Sequence, residues 1–180
     1  MTVHGGLAPE RLHLANLLEA VQRCAFFLQA TSQRLPWPLS GPALHQRQKD
    51  NGLFEGLAAF NERFAKLQDT LGAAMRQSAM LMSEPTAPFL RVLALFAKLD
   101  VVESIEGWQL CRTARNLAAH DYETDYARIA SHFNELHALH GMLIRVAARL
   151  LDICASMLSI QPASADFADD FAAVRAAHAI

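Results

Sequence analysis

Arg115, Asn116, His120 and Tyr122 fall within eight residues, and all four are of kinds that handle phosphate and protons. Arginine is a permanently charged fork that binds phosphate oxygens in a planar, two-pronged way. Histidine can accept or give a proton near neutrality. Asparagine carries an amide that can both donate and accept hydrogen bonds, and tyrosine offers a hydroxyl that can receive a transferred group. On an ideal helix His120 lies about 140° around from Arg115, so the two converge only where the helix ends or distorts near Ala119. Tyr122, seven residues on, returns to the face of Arg115. The polar run Asp121-Tyr122-Glu123-Thr124-Asp125 is expected to break the helix there. The residues alone leave two readings open. One is a phosphate and proton site. The other is a helix end at which Arg115 pairs with a carboxylate and His120 caps carbonyls.

The elements around this stretch are read from period and punctuation. From Pro9 to about Ser32, Leu14, Leu17, Leu18, Val21, Cys24, Ala25 and Leu28 recur at helical spacing, with Pro9 suited to a first turn. Leu35-Pro36-Trp37-Pro38 and Ser40-Gly41-Pro42 cannot continue that helix, and a loop is expected to about His45. Trp37 is expected to tie that loop down. A second helix is predicted from about Asp50 to Met82, where Leu53, Leu57, Phe60, Phe64, Leu67, Leu71 and Met75 step by three and four. Ser83-Glu84-Pro85 ends it. Shorter helices follow, one through Phe89 and Phe96 to about Asp100, another from Ser104 to about Ala119 with Ile105, Trp108 and Cys111 on its apolar side. The last long helix is predicted after Tyr122, with Thr124 as its cap and an apolar stripe from Tyr126 to Met157. Two long helices with shorter ones beside them describe an all-α, up-and-down bundle. The expected organisation is one domain over 1–180, with a core over about 9–160 and an alanine-rich tail, 161–180, that either docks as a helix or stays exposed.

Composition narrows the function classes. A net charge of −2 excludes a globally basic nucleic-acid binder, so any RNA contact must rest on a local patch. No apolar run is long enough to span a membrane, and the amino-terminal stretch lacks the pattern of a secretory signal. The three cysteines are distant, odd in number and embedded in apolar stretches. Buried thiols in a reducing cytoplasm are therefore expected rather than a disulfide or metal set.

Arg115-Asn116 followed by His120 and Tyr122, with Trp108 seven residues before the arginine, resembles the motif of the HEPN domain superfamily. The spacing of arginine, four residues, histidine, one residue, tyrosine is similar to that of HepT toxins and of nucleotidyltransferase substrate-binding proteins. The likeness covers about Asp50 to Leu158 as a helix pattern and is specific within about Ile105–Tyr126. It implies a metal-independent endoribonuclease, without a cofactor, acting as a homodimer whose two motifs face one cleft. By position, the resemblance makes Arg115 the holder of the scissile phosphate, His120 the proton carrier and Asn116 an orienting group. Tyr122 matches the tyrosine that a minimal nucleotidyltransferase antitoxin modifies with AMP, silencing the toxin.

Two further readings stand beside this one: a non-catalytic module that docks a nucleotidyltransferase, and a plain all-α dimerisation domain. His132, His137 and His140 lie on one predicted helix, His137 and His140 three apart, but without the carboxylate–histidine pattern of a di-iron bundle. His140 is expected in the core or at an interface, and no metal is assigned.

Overall fold

The computed structural model describes residues 8–118 and 124–179, with the side chain of Ala118 excepted. His120 and Tyr122 lie outside the described residues. Seven helices run through the described chain and no strand occurs in it: α1 (Ala8–Ser32), α2 (Gly41–Gln46), α3 (Asn51–Leu81), α4 (Phe89–Lys98), α5 (Ile105–Ala118), α6 (Tyr126–Leu158) and α7 (Ala168–Ala177). The fold is the expected all-α bundle.

The two longest helices are those that the periodicity marks, α3 with 31 residues and α6 with 33. At 1.5 Å per residue they run about 47 and 50 Å. Their stripes meet in the core, where Leu57, Phe60, Phe64, Leu67 and Leu71 of α3 and Leu136, Leu143, Ala147 and Leu150 of α6 are all but inaccessible. Ser78 Oγ, which donates to the carbonyl of Ala74, also lies 3.3 Å from Cys154 Sγ across that interface. The stripe of α6 ends at Cys154, because Met157 near the helix terminus is 54% exposed. A third long helix, α1, packs along α3 more extensively than α6 does, burying Leu14, Leu18, Val21, Ala25 and Leu28.

The helix ends differ from expectation in two places. Residues 41–46, expected as loop, form the short helix α2, started by Ser40 Oγ accepting from the Ala43 amide and by Pro42 in the first turn. Gly41 suits this start, because a Cβ there would lie 3.0 Å from the Cα and N of Ala127. The cap of α6 is Asp125 rather than Thr124. Its carboxylate accepts from the amides of Ala127 and Arg128, and a charged acceptor suits the positive end of a helix better than a hydroxyl. Asp50 caps α3 as expected, accepting from the Leu53 amide.

Trp37 anchors the loop before α2. Its indole N–H donates to the Ser32 carbonyl at 2.9 Å, and its ring stacks on His137 at 4.3 Å. Asn134 completes the anchorage by pairing with both the N–H and the C=O of Leu39, at 2.8 and 2.9 Å. The tail docks. Phe171 and Val174 of α7 are buried, α7 packs on α1, and Arg175 makes a two-pronged pair with Asp152 of α6.

Candidate functional site

The short helix α5 lies against α3 and α6. Its apolar side carries Trp108, Cys111 and Ala114, all buried, and Arg115 follows seven residues after Trp108. Two polar ties fix that side to α3. The Gln68 amide Nε2 donates to the Trp108 carbonyl at 2.9 Å. Arg115 Nη1 donates to the Ala65 carbonyl at 3.0 Å and to Asp69 Oδ1 at 2.8 Å. The Arg115 side chain is 16% exposed and that of Asp69 65%. Burial of the arginine stem against α3 leaves little freedom to the guanidinium, which is therefore presented from a fixed place.

Part of the helix-end reading is thus correct: Arg115 does pair with a carboxylate. The carboxylate belongs to another helix, 46 residues away, which spacing within the motif could not reveal. A guanidinium has five N–H donors, and the Asp69 and Ala65 contacts both fall on Nη1. Among the described residues, the other guanidinium N–H groups make no hydrogen bond.

Arg115 and Asp69 form one end of a cleft of about 330 Å³ between α3 and α5. Gln68, Gly72 and Trp108 belong to its buried lining, while Arg76, Gln109 and Arg112 are exposed. The Arg76 guanidinium carbon sits 4.6 Å from the centroid of the Phe89 ring, which also lines the cleft. Three arginines against one carboxylate make this a locally positive spot on a chain of net charge −2. Gln68 is 3% exposed, and its Oε1 has no hydrogen-bond partner among the described residues. A buried acceptor left unpaired costs about 1–3 kcal/mol.

Asn116 is exposed, and its side chain takes no hydrogen bond among the described residues. Of the motif, the described residues thus hold Arg115 and Asn116, at the carboxyl end of α5. His120 and Tyr122 lie outside the described residues. Sequence reading missed Asp69, Gln68 and Arg76, since nothing in α3's spacing says which polar residues face α5. Arg112 lies one turn before Arg115 on α5.

The histidines of α6 form a packed aromatic cluster. The rings of His137 and His140 stack at 4.9 Å, with Phe60 beside them and His178 of α7 edge-on to His140 at 5.0 Å. His140 is buried as expected, and burial pushes its pKa down to about 4. Among the described residues, no group of three metal-ligating side chains is placed to hold an ion. The cysteines are free. Burial pushes the Cys111 thiol up to about 12 and that of Cys154 to about 11, with Cys24 also raised. All three are poor nucleophiles.

The fold and cleft define an all-α helical bundle with an arginine-lined groove between α3 and α5. No known protein family, curated protein or solved structure matches the chain. Among the described residues, no helix is long and apolar enough to cross a membrane.

Proposed function

We propose that the chain is a HepT-like toxin, a metal-independent endoribonuclease acting as a homodimer. Arg115 and His120 do the chemistry, and a partner nucleotidyltransferase silences the enzyme by adding AMP to Tyr122. The observation that carries this reading is Arg115 itself: a half-buried, doubly anchored guanidinium at the carboxyl end of α5, five residues before His120 and seven before Tyr122. A fixed cation is what stabilisation of a developing phosphorane requires, because no reorganisation is then needed at the moment of reaction.

RNA carries its own nucleophile. The ribose O2′ attacks the adjacent phosphorus, and the bond from phosphorus to O5′ breaks, leaving a 2′,3′-cyclic phosphate and a 5′-hydroxyl. One proton leaves O2′ and one is delivered to O5′. His120 serves that transfer, Arg115 neutralises the phosphoryl oxygens and Asn116 orients phosphate or imidazole. AMP on the Tyr122 oxygen adds bulk and negative charge where the RNA phosphate must sit.

The engagement of Arg115 by Asp69 favours a second reading, a non-catalytic module whose arginine is structural and whose motif is a docking or modification site for the nucleotidyltransferase. Incubating purified protein with single-stranded RNA in EDTA separates the two. The ribonuclease yields fragments ending in a cyclic phosphate, and the docking module leaves the RNA intact.

A further inference from the structure

A second cleft, of about 480 Å³, lies between α1 and α3 and shares no residue with the Arg115 cleft. Its lining is Ala20, Arg23, Cys24, Phe27, Arg63 and Lys66, three cations and no carboxylate. Arg23, Arg63 and Lys66 form no ion pair among the described residues. Neither do Glu19 and Glu62, which lie one turn before Arg23 and Lys66. The arginines in the groove between α6 and α7 differ: Arg145, Arg149 and Arg175 each face Glu103 or Asp152 within ion-pair distance.

One ring holds both guanidiniums of the α1–α3 cleft. Their carbons lie 5.7 Å (Arg23) and 5.4 Å (Arg63) from the centroid of Phe27, within cation–π range. Arg63 Nη1 also donates to the Phe27 carbonyl at 3.3 Å and to the Thr31 hydroxyl. The other N–H groups of Arg63 make no hydrogen bond among the described residues. Burial raises the Cys24 thiol above its ordinary value, so the sulfur stays protonated and adds no negative charge. Like charges that converge without a counter-charge destabilise a fold, and a bound anion offsets that repulsion.

We propose that this cleft binds a diphosphate group, supplied either as free pyrophosphate or as part of a nucleotide. An esterified diphosphate carries about −3 at neutral pH, from about −2 on its terminal phosphate and about −1 on the inner one, against three cations. Arg23 and Arg63 offer forks that match phosphate oxygens, and Lys66 adds a point charge. A monocarboxylate would leave two of the cations unmatched. The volume of the cleft falls in the range of small-molecule pockets, about 300–1,000 Å³. The site stands on its own residues and requires neither Arg115 nor RNA cleavage.

The test is calorimetric titration of the full chain, in magnesium-free buffer at fixed ionic strength, with pyrophosphate, ADP, inorganic phosphate and sulfate. Pyrophosphate and ADP should bind and raise the melting temperature, with phosphate and sulfate weaker by roughly tenfold or more, the contribution of one charged hydrogen bond. Arg23 and Lys66 are exposed, so Arg23→Gln and Lys66→Gln should keep the helical content. Each should weaken diphosphate binding roughly tenfold. Arg112→Ala, in the cleft between α3 and α5, should leave it unchanged. ADP binding tighter than pyrophosphate assigns a nucleotide as the source, and equal or weaker binding assigns the free anion. No binding at millimolar concentration, or sulfate binding as tightly as pyrophosphate, would overturn the site without any variant. Affinity undiminished in both Gln variants, or lost in Arg112→Ala, would overturn it too. An oligonucleotide weakened by Lys66→Gln while pyrophosphate fails to bind would make the cleft part of an RNA path instead.

Discussion

Arg115 donates to Asp69 across the junction of α5 and α3, Nη1 to Oδ1 at 2.8 Å, and the two partners are unequally exposed. The arginine is fixed by its burial and by the Ala65 carbonyl as much as by the ion pair, so the carboxylate serves mainly as a local negative charge at the cleft. Asp69→Asn keeps an oxygen acceptor and removes that charge. Exposed pairs contribute about 0–1 kcal/mol, so unfolding by urea should shift by less than about 1 kcal/mol. Oligonucleotide binding at low salt should tighten. Weakened binding would mean that the carboxylate charge itself holds Arg115 in its working place.

The bundle depends on Phe64, wholly buried, and Phe133, nearly so. Phenylalanine to alanine at such sites removes transfer energy and leaves a cavity, about 3–5 kcal/mol together. Urea unfolding of Phe64→Ala and Phe133→Ala should show losses of that order. A loss below about 1 kcal/mol at both positions would contradict the packing of α3 on α6.

Stability should fall in mild acid. Burial and the neighbouring histidines lower His140 to about 4, burial and His178 lower His137, and burial and Arg145 lower His178. The unfolded chain therefore binds protons that the folded chain refuses. This contribution is fully present above the unfolded value of 6.5 and is lost as pH falls through the folded values. For His140 alone the loss between pH 6.5 and 4 amounts to about 3 kcal/mol. Chemical denaturation across that range should show it, and His140→Leu should flatten the profile. Because His178 packs on His140 and pairs with Gln29 of α1, α7 should loosen first, seen as faster amide exchange over 168–177.

Leu110 and Leu117 lie seven residues apart on α5, 45% and 39% exposed, so both occupy one face of the helix that carries Arg115. A twofold, self-complementary contact is the commonest route to an oligomer, and that face is suited to it. Sedimentation at micromolar concentration should show a dimer, converted to monomer by Leu110→Glu. A wild-type monomer would remove the composite cleft from the account.

Much of the fold was legible because burial imposes a period. Stripes such as Leu53–Met75 and Phe133–Cys154 occur where one helix face leaves water, and Asp50 and Pro85 mark ends by their hydrogen-bonding chemistry. The short helix α2 was hidden by Gly41, Pro42 and the prolines before it, Pro36 and Pro38, which read as loop although Ser40 and Pro42 are good helix starters. The site was legible only within one element. Trp108 and Arg115 share a face by simple spacing. Their partners Gln68, Asp69 and Ala65 depend on how α5 is rotated against α3, and no periodicity encodes that.

Tyr122 should be the chemical switch. With a cognate nucleotidyltransferase and ATP, the phenol oxygen should displace pyrophosphate and gain one or more AMP units, visible by mass spectrometry. Tyr122→Phe should block the addition without changing helical content. Adduct on another residue would remove Tyr122 from its proposed role.

Cleavage of single-stranded RNA in EDTA by the wild type, Arg115→Ala and His120→Ala is the most direct test of the ribonuclease reading. The wild type should cut, and cutting should weaken as salt rises, as phosphate contacts require. Each variant should lose about 10²–10⁴-fold, the two losses not adding, while circular dichroism and sedimentation stay unchanged. Intact RNA with the wild type, or an undiminished rate with His120→Ala, would contradict the account.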